Sequence, residues 1–127
     1  MKNIVLDTDI FIDYLRGYEK ALQFFDKLKG QDYVVYFSAV TEIELVSGKE
    51  CNKIERKSYL LNFLSYFAKV PVDNNIAVKA GDFRRLYGIA FADATIVATA
   101  YLAKATLITR NAKDYEKIKE ITLKIPY

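Results

Sequence analysis

The sequence contains no histidine, and this absence restricts its possible chemistry more than any other feature. Without histidine there is no imidazole general base, no Ser-His-Asp or Cys-His arrangement, and no histidine-ligated zinc site. An enzyme with this composition has to work through carboxylates, lysine, tyrosine or a metal ion held by oxygen ligands. The acidic side chains are therefore the first candidates for a functional site.

Cysteine and long apolar runs are also scarce. Cys51 is the only cysteine, so no disulfide can form within the chain, which suits a reducing compartment. The uncharged stretches, such as 94–103, are about half as long as the roughly 20 residues that a bilayer span needs. The N-terminus lacks the charged-then-apolar layout of a signal peptide. We expect a cytoplasmic protein that does not span a membrane.

Length and charge set two further bounds. With 127 residues, of which 52% are hydrophobic and 28% charged, the chain is expected to fold as one domain over residues 1–127. The net charge of +3 permits a polyanionic partner but does not require one.

Short β-rich runs alternate with helical patterns along the chain. This alternation predicts an α/β fold with a mainly parallel central sheet of about five strands and helices on both faces. The predicted strands are Asn3–Leu6, Tyr33–Ser38, Lys69–Val72, Thr106–Thr109 and Ile121–Lys124. The predicted helices are Ile10–Leu15, Glu19–Lys29, Val40–Ser47, Asn52–Phe67, Asn75–Leu86, Ala92–Lys104 and Asp114–Lys119.

Four acidic residues follow or approach the carboxyl ends of predicted strands, where open parallel sheets bind their ligands. Asp7 ends the first apolar run directly, and a buried carboxylate has to be paired, protonated or bound to a cation. Glu44 follows the second strand, Asp93 opens the helix "ADATIVATAYLAK", and Asp114 follows "TLITRNAK". Four acids in one cleft would repel each other strongly unless cations neutralise them.

Several of the acids also have a simpler interpretation. Asp7 can cap the helix that follows it. Asp9 and Asp114 can act as N-caps, for the helix at Ile10–Leu15 and for the segment "YEKIK". Asp93 can favour the positive end of its helix dipole. Glu42 lies about 200° round the helix from Glu44, so it is expected to be solvated.

An all-oxygen ligand set suits a hard cation, Mg²⁺ or Mn²⁺. Such a metal polarises a phosphodiester, lowers the pKa of a bound water and stabilises the leaving oxygen. The implied substrate is the backbone of a nucleic acid.

Three stretches carry a family resemblance that covers essentially the whole chain: "IVLDTDIFIDYLRG", "TEIELVSG" and "ADATIVATAYLAKATLITRNAKDY". In this order they resemble the motifs of PIN-domain proteins, most of all the VapC toxins of VapBC toxin–antitoxin modules. The resemblance implies a Mg²⁺- or Mn²⁺-dependent ribonuclease with a three-layer α/β/α sandwich fold. It also implies homodimers and a VapB-like antitoxin that inserts a peptide near the active site.

Matched by position, the resemblance implies that Asp7, Glu44, Asp93 and Asp114 are catalytic, with Asp7 and Asp93 as metal ligands. It implies supporting polar roles for Thr109 and Asn111. Two departures stand out: Asp9 occupies a position where the family often has Asn, and the segment "YGIAF" before Asp93 is short.

Basic and apolar side chains give candidate binding surfaces. Phosphate contacts are expected from Arg110 and Lys113, which adjoin the cleft, and from Arg16, Arg84 and Arg85, for which a solvated face is the alternative. Apolar residues cover much of the circumference of the predicted helix Asn52–Phe67, so it is expected to contribute to a dimer or antitoxin contact.

Two other functions fit the same residues. The protein can be a PIN-type nuclease of RNA processing, or a catalytically silent nucleic-acid- or protein-binding module. A haloacid-dehalogenase-like phosphatase also opens with Asp-x-Asp, but Phe11 stands where that pattern expects Thr or Val.

Overall fold

A computed structural model describes residues 2–127. Its five strands form one sheet in the order β3-β2-β1-β4-β5, and every neighbouring pair is parallel. The predicted α/β class is confirmed, and the sheet is wholly parallel. The strands are β1 (Lys2–Leu6), β2 (Tyr33–Ser38), β3 (Ala68–Val70), β4 (Thr106–Ile108) and β5 (Thr122–Lys124).

Helices connect the strands as the crossovers that parallel pairing requires. They are α1 (Thr8–Leu15), α2 (Glu19–Lys29), α3 (Ala39–Val46), a 3₁₀ helix (Lys49–Asn52), α4 (Ile54–Leu64), α5 (Asn74–Tyr87), α6 (Phe91–Leu102) and α7 (Ala112–Tyr115).

The sheet separates two hydrophobic cores, because successive side chains of a strand point to opposite faces. Val5 of β1 packs with α5 and α6, through residues such as Phe83 and Val97. Ile4 and Leu6 face the other side, where α1, α2 and α4 contribute the second core. Helices therefore cover both faces, and the three-layer α/β/α architecture is present.

The predicted helix Asn52–Phe67 was too long. The structure has the 3₁₀ helix before it, and α4 ends at Leu64. Leu60 and Leu64 are buried, while Phe63 and Phe67 pack against Phe11. Core packing therefore explains most of the apolar circumference of this segment. The apolar side chains of this region that remain exposed are Ile54, Tyr59, Leu61 and Tyr66.

Two other predicted elements end early. The strand predicted over Lys69–Val72 stops at Val70, because Pro71 has no N–H for the ladder. The helix predicted over Asp114–Lys119 is instead the single turn α7.

The strand order places the chain's reversal point between β1 and β4. The chain moves from β1 outward to β2 and β3, and then returns to β4 on the other side of β1. The amide of Asp7 donates to Ile108 O (3.0 Å), so the two strands stay together up to their carboxyl ends. A crevice at such a reversal point is the usual ligand site of an open parallel sheet. Within residues 2–127, no helix is long and apolar enough to cross a bilayer.

Candidate active site

Asp7 lies at the carboxyl end of β1, where its side chain is only 4% exposed. Its Oδ1 accepts a hydrogen bond from the backbone amide of Thr8 (2.8 Å), so Asp7 is the N-cap of α1. The prediction that Asp9 caps this helix is wrong, because the helix begins at Thr8 and Asp9 lies inside its first turn.

The second oxygen of Asp7 joins the site to β4. Asp7 Oδ2 accepts from Thr109 Oγ1 (2.8 Å), and Thr109 Oγ1 in turn accepts from the amide of Asn111 (3.0 Å). Thr109 is fully buried, so this chain of hydrogen bonds fixes the orientation of Asp7. The structure thus places Thr109 against Asp7, while the contact of Asn111 is made by its backbone.

Tyr115 links Asp7 to Asp93. Its hydroxyl lies 3.1 Å from Asp7 Oδ2 and 2.9 Å from Asp93 Oδ1. A phenol carries one proton, so it cannot donate fully to both carboxylates at once. Two carboxylates that share one donor need a proton or a cation to offset their repulsion. Burial, together with the charges of Asp7 and Asp93, raises the pKa of Tyr115, so the phenol stays protonated at neutral pH.

Glu44 reaches this centre through Thr8. Thr8 Oγ1 donates to Glu44 Oε1 (2.7 Å) and lies 2.9 Å from Thr41 Oγ1. Thr8 is buried and Glu44 is exposed, so the Glu44 carboxylate lies on the rim of the crevice. Glu42 points elsewhere and pairs with Lys69 (3.1 Å) at the surface.

Burial favours the neutral form of two acids at the centre, Asp7 and Asp9. Burial raises the pKa of Asp7. The charge of Asp93 raises it further, while the hydrogen bond from Thr109 lowers it in part. Burial, and then the charge of Asp7, raises the pKa of Asp9 to about 7. Asp9 Oδ2 accepts from the amide of Arg110 (3.1 Å), whereas its buried Oδ1 has no partner within the described residues. A bound cation would reverse both shifts.

Asp114 lies outside this network. Its side chain is exposed and makes no hydrogen bond to the other acids, and Lys113 beside it is also exposed. The prediction that Asp114 caps a helix is wrong, because Asn111 occupies the N-cap position of α7. The residue that α7 directs into the centre is Tyr115, which is 1% exposed.

The predicted phosphate contacts differ in their surroundings. Arg110 forms an ion pair with Asp13 (2.7 Å) beside the crevice. Arg85 pairs with Asp82 (2.9 Å), and Arg84 Nε donates to a backbone carbonyl (3.3 Å) in the loop before α6. Arg16 is exposed at the end of α1.

The donor set fits a hard cation. Asp7, Asp93 and Glu44 offer only oxygen atoms, as Mg²⁺ and Mn²⁺ prefer. Asp7 and Asp93 each lie within hydrogen-bond distance of one common atom, so both can approach one ion. Within residues 2–127, no group of three acidic or cysteine side chains is arranged to hold a metal ion. Any ion bound here would therefore rest on the pair Asp7 and Asp93.

Sequence reasoning missed Tyr115, Thr8 and Thr41. Tyr115 belongs to the "DY" pair of the third motif, and its aromatic ring next to an expected acid was the available signal. Thr8 lies between two acids at a strand end, and Thr41 precedes Glu44 by three residues on one helix face.

Three comparisons with known proteins bear on the family and the fold of the chain. The family model of the PIN domain matches residues 4–121. The chain is 30% identical over 131 residues to Ribonuclease VapC1 of Methanocaldococcus jannaschii, covering 96% of this chain and 85% of the relative.

Two solved structures share the fold over nearly the whole chain. One is a toxin–antitoxin complex from Klebsiella pneumoniae, with 31% identity, 98% of both chains covered and a TM-score of 0.82. The other is VapBC2 from Rickettsia felis bound to a DNA fragment from its promoter. It is 21% identical, covers 96% of this chain and 97% of its own, and also has a TM-score of 0.82. On the family model, the fold and these relatives together, the chain belongs to the PIN-domain family.

Proposed function

We propose that this protein is a metal-dependent endoribonuclease and the toxin of a VapBC-type toxin–antitoxin module. The observation that carries the proposal is the pair Asp7 and Asp93, held at the crevice between β1 and β4 by the hydroxyl of Tyr115. Similarity to a protein named as a ribonuclease and to toxin–antitoxin complexes supports it. An action on cellular RNA would place the protein in the cytoplasm.

Asp7 and Asp93 would hold Mg²⁺ or Mn²⁺, and when bound this ion would polarise the phosphodiester and lower the pKa of the attacking water. Thr109 and the amide of Thr8 orient Asp7, so that its carboxylate keeps one direction without a substrate. Glu44, whose carboxylate accepts a hydrogen bond from Thr8, would accept a proton from an incoming water. Asp114, which is exposed on α7, would act through a water.

The test is cleavage of mixed single-stranded RNA by the antitoxin-free protein with Mg²⁺ or Mn²⁺. We expect cleavage that stops with EDTA and falls at least 100-fold in Asp7→Asn, roughly the loss seen when one electrostatic group is removed from an active site. Asp82→Asn is the matched control, because Asp82 is an acid paired with Arg85 on α5. Cleavage that survives in Asp7→Asn would show that these acids are not the site. No cleavage by folded protein would leave the binding-module function.

The proposed antitoxin contact is a groove of about 300 Å³ between α1, α3 and α4. Apolar side chains of Leu15, Leu45 and Leu60 line it, and Glu44 lies on its edge. A partner helix with apolar anchors would fill the groove, and a basic side chain on it would reach Glu44 and the acids beyond. The exposed Ile54, Tyr59 and Leu61 extend the apolar surface along α4 and supply the proposed dimer or antitoxin contact.

Hydrogen exchange tests this contact. Binding of a cognate antitoxin is expected to slow amide exchange in α4 and to inhibit cleavage, with α5 as the internal reference. A concentration-independent monomer mass, together with unchanged exchange in α4 on antitoxin binding, would rule out α4 as an interface.

A further inference from the structure

Beside the acidic centre lies a cluster of two tyrosines and two arginines that the proposed cleavage chemistry does not use. The guanidinium of Arg110 lies over the ring of Tyr18 (5.6 Å to the centroid) and over that of Tyr127 (5.8 Å). Asp13 fixes it from a third direction by an ion pair of 2.7 Å. The cluster borders an open depression of about 430 Å³ lined by Asp13, Arg16, Gly17, Tyr18 and Arg110.

This cluster is preorganised. Asp13 Oδ2 accepts from Arg110 and also from the hydroxyl of Tyr127 (2.7 Å), so one carboxylate orients both groups. Gly17, at φ +77°, adopts the left-handed conformation that turns the chain from α1 into α2. The amide of Tyr18 then donates to Asp13 O (3.0 Å), which fixes Tyr18 beside Arg110.

The cluster is also accessible and adjoins the reaction centre. Tyr18 is 41% exposed, and the Arg110 side chain is 46% exposed. Arg110 follows Thr109, the hydrogen-bond donor to Asp7, and its own amide donates to Asp9 (3.1 Å). A strand of RNA whose phosphate reached Asp7 and Asp93 would pass this depression with a neighbouring nucleotide.

From these contacts we infer that Tyr18 and Arg110 form a stacking subsite for an unpaired base of the RNA substrate, with Arg16 contacting the adjacent phosphate. Tyrosine rings and arginine planes are the surfaces on which single-stranded RNA is read. Asp13 offsets the charge of Arg110, so the planar guanidinium of Arg110 acts mainly as a stacking surface. Arg16 has no side-chain ion pair within the described residues and supplies the positive charge for the phosphate. This inference rests on the proposed ribonuclease function.

The test compares two short single-stranded RNAs of the same mixed sequence, one intact and one with abasic sites, by fluorescence anisotropy with Ca²⁺ replacing Mg²⁺. Tyr18→Ala is expected to raise the Kd for the intact RNA about tenfold, as stacking losses of one base do. It should leave the Kd for the abasic RNA unchanged. Tyr18→Phe, which keeps the ring, should bind like the original protein.

Tyr66→Ala is the matched control. Tyr66 is 77% exposed, and it precedes β3, so it lies at the amino edge of the sheet, opposite the acids. Tyr18→Leu retains apolar contact with Tyr127 and serves if Tyr18→Ala does not fold. An equal loss of affinity for both RNAs would show that Tyr18 only supports the local structure, and no loss would show that it does not touch RNA. Either result would overturn the subsite alone, whereas an original protein that binds neither RNA would overturn the ribonuclease function as well.

Discussion

Tyr115 is the residue on which the arrangement of the acids depends in the absence of metal. Its hydroxyl is the donor that Asp7 and Asp93 share. Removing it leaves Asp93 Oδ1 without this donor and the two carboxylates without a group between them. We expect Tyr115→Phe to lower the free energy of unfolding by about 1–3 kcal/mol in EDTA.

Urea unfolding at neutral pH, with EDTA and then with Mg²⁺ or Mn²⁺, measures this effect. The deficit should shrink when metal is added, because a cation takes over the neutralising role. The control is Tyr87→Phe, because the Tyr87 hydroxyl contacts Glu120 at the surface. This variant should unfold like the original protein in both buffers. A deficit that metal does not change would mean that Tyr115 serves packing alone.

Asp9 makes the stability depend on pH. Its pKa is about 7 in the folded protein and near 3.8 when unfolded, so the folded state holds the extra proton between these values. The contribution of Asp9 to the free energy of unfolding is therefore greatest below pH 3.8 and decreases as the pH rises toward 7. Asp9→Asn keeps an acceptor for the Arg110 amide, carries no charge and should reduce this decline. The raised pKa of Asp7 should preserve the remainder.

At pH 8, Asp9→Asn is expected to raise the free energy of unfolding by about 1–2 kcal/mol. This is less than the full pKa shift of Asp9 would give, because the side chain is partly solvated. Chemical unfolding in EDTA at several pH values from 4 to 8 measures it. Asp82→Asn should retain the pH slope of the original protein. Parallel slopes for Asp9→Asn and the original protein would show that Asp9 ionises normally.

At the scale of elements, the join between α5 and α6 aims Asp93 at the site. Within the short "YGIAF" segment, three residues (88–90) form the loop between the two helices. Gly88 has φ +66° and Ile89 is buried. Gly88→Ala should lower the free energy of unfolding by about 1–2 kcal/mol, because a side chain is strained in this conformation. Gly81 lies in the middle of α5, with open space where a Cβ would be added. Gly81→Ala should instead raise the free energy of unfolding by about 0.5–1 kcal/mol.

The two variants form a matched pair, since each adds one methyl group to the same helix or its cap. Urea midpoints at constant m value measure both effects. A change of stability in the same direction for both variants would contradict the left-handed conformation at Gly88.

The sequence predicted elements best where the pattern is strong and local. The bounds of β2 and α2 agree with the predicted Tyr33–Ser38 and Glu19–Lys29, since both segments have clear periodicity and clear ends. The end of α4 was missed because Phe67 continues the apolar pattern of Phe63 into the core after the helix has stopped at Leu64.

The same distinction applies to the site. That Asp7, Glu44 and Asp93 lie near one another could be predicted because strand ends in a parallel sheet converge. Tyr115 could not, because α7 is one turn long and only its packing on β5 and α6 decides which side chain faces inward. The choice of Asp7 over Asp9 as cap depends on where the first helical turn begins, which composition does not fix.

At the scale of the whole molecule, one buried ring ties several elements together. Phe11 is fully buried and contacts the rings of Phe25, Phe37, Phe63 and Phe67 at 5.6–6.1 Å between centroids. Phe11→Ala should lower the free energy of unfolding by about 3–5 kcal/mol. That loss is a large part of a typical total of about 5–15 kcal/mol.

Circular dichroism and tyrosine fluorescence in urea should show one coincident, shifted transition for Phe11→Ala. Phe91→Ala is the control, because Phe91 is 67% exposed and should change stability by less than about 0.5 kcal/mol. Two separate transitions would show that the two faces of the sheet unfold independently.

The position of β1 at the centre of the sheet determines when the proposed active site can first form during synthesis of the chain. Asp7 is made before its partners Thr109 and Tyr115, which follow it 102 and 108 residues later. At roughly 5–20 residues per second, translation separates these partners by about 5–20 seconds, and a ribosome shields the newest residues for longer. A nascent chain therefore carries its first acid without an active site, and a chain that stops before Tyr115 never acquires one. For a protein proposed to cleave RNA, this order of assembly delays activity until Tyr115 has been made and has packed against Asp7 and Asp93.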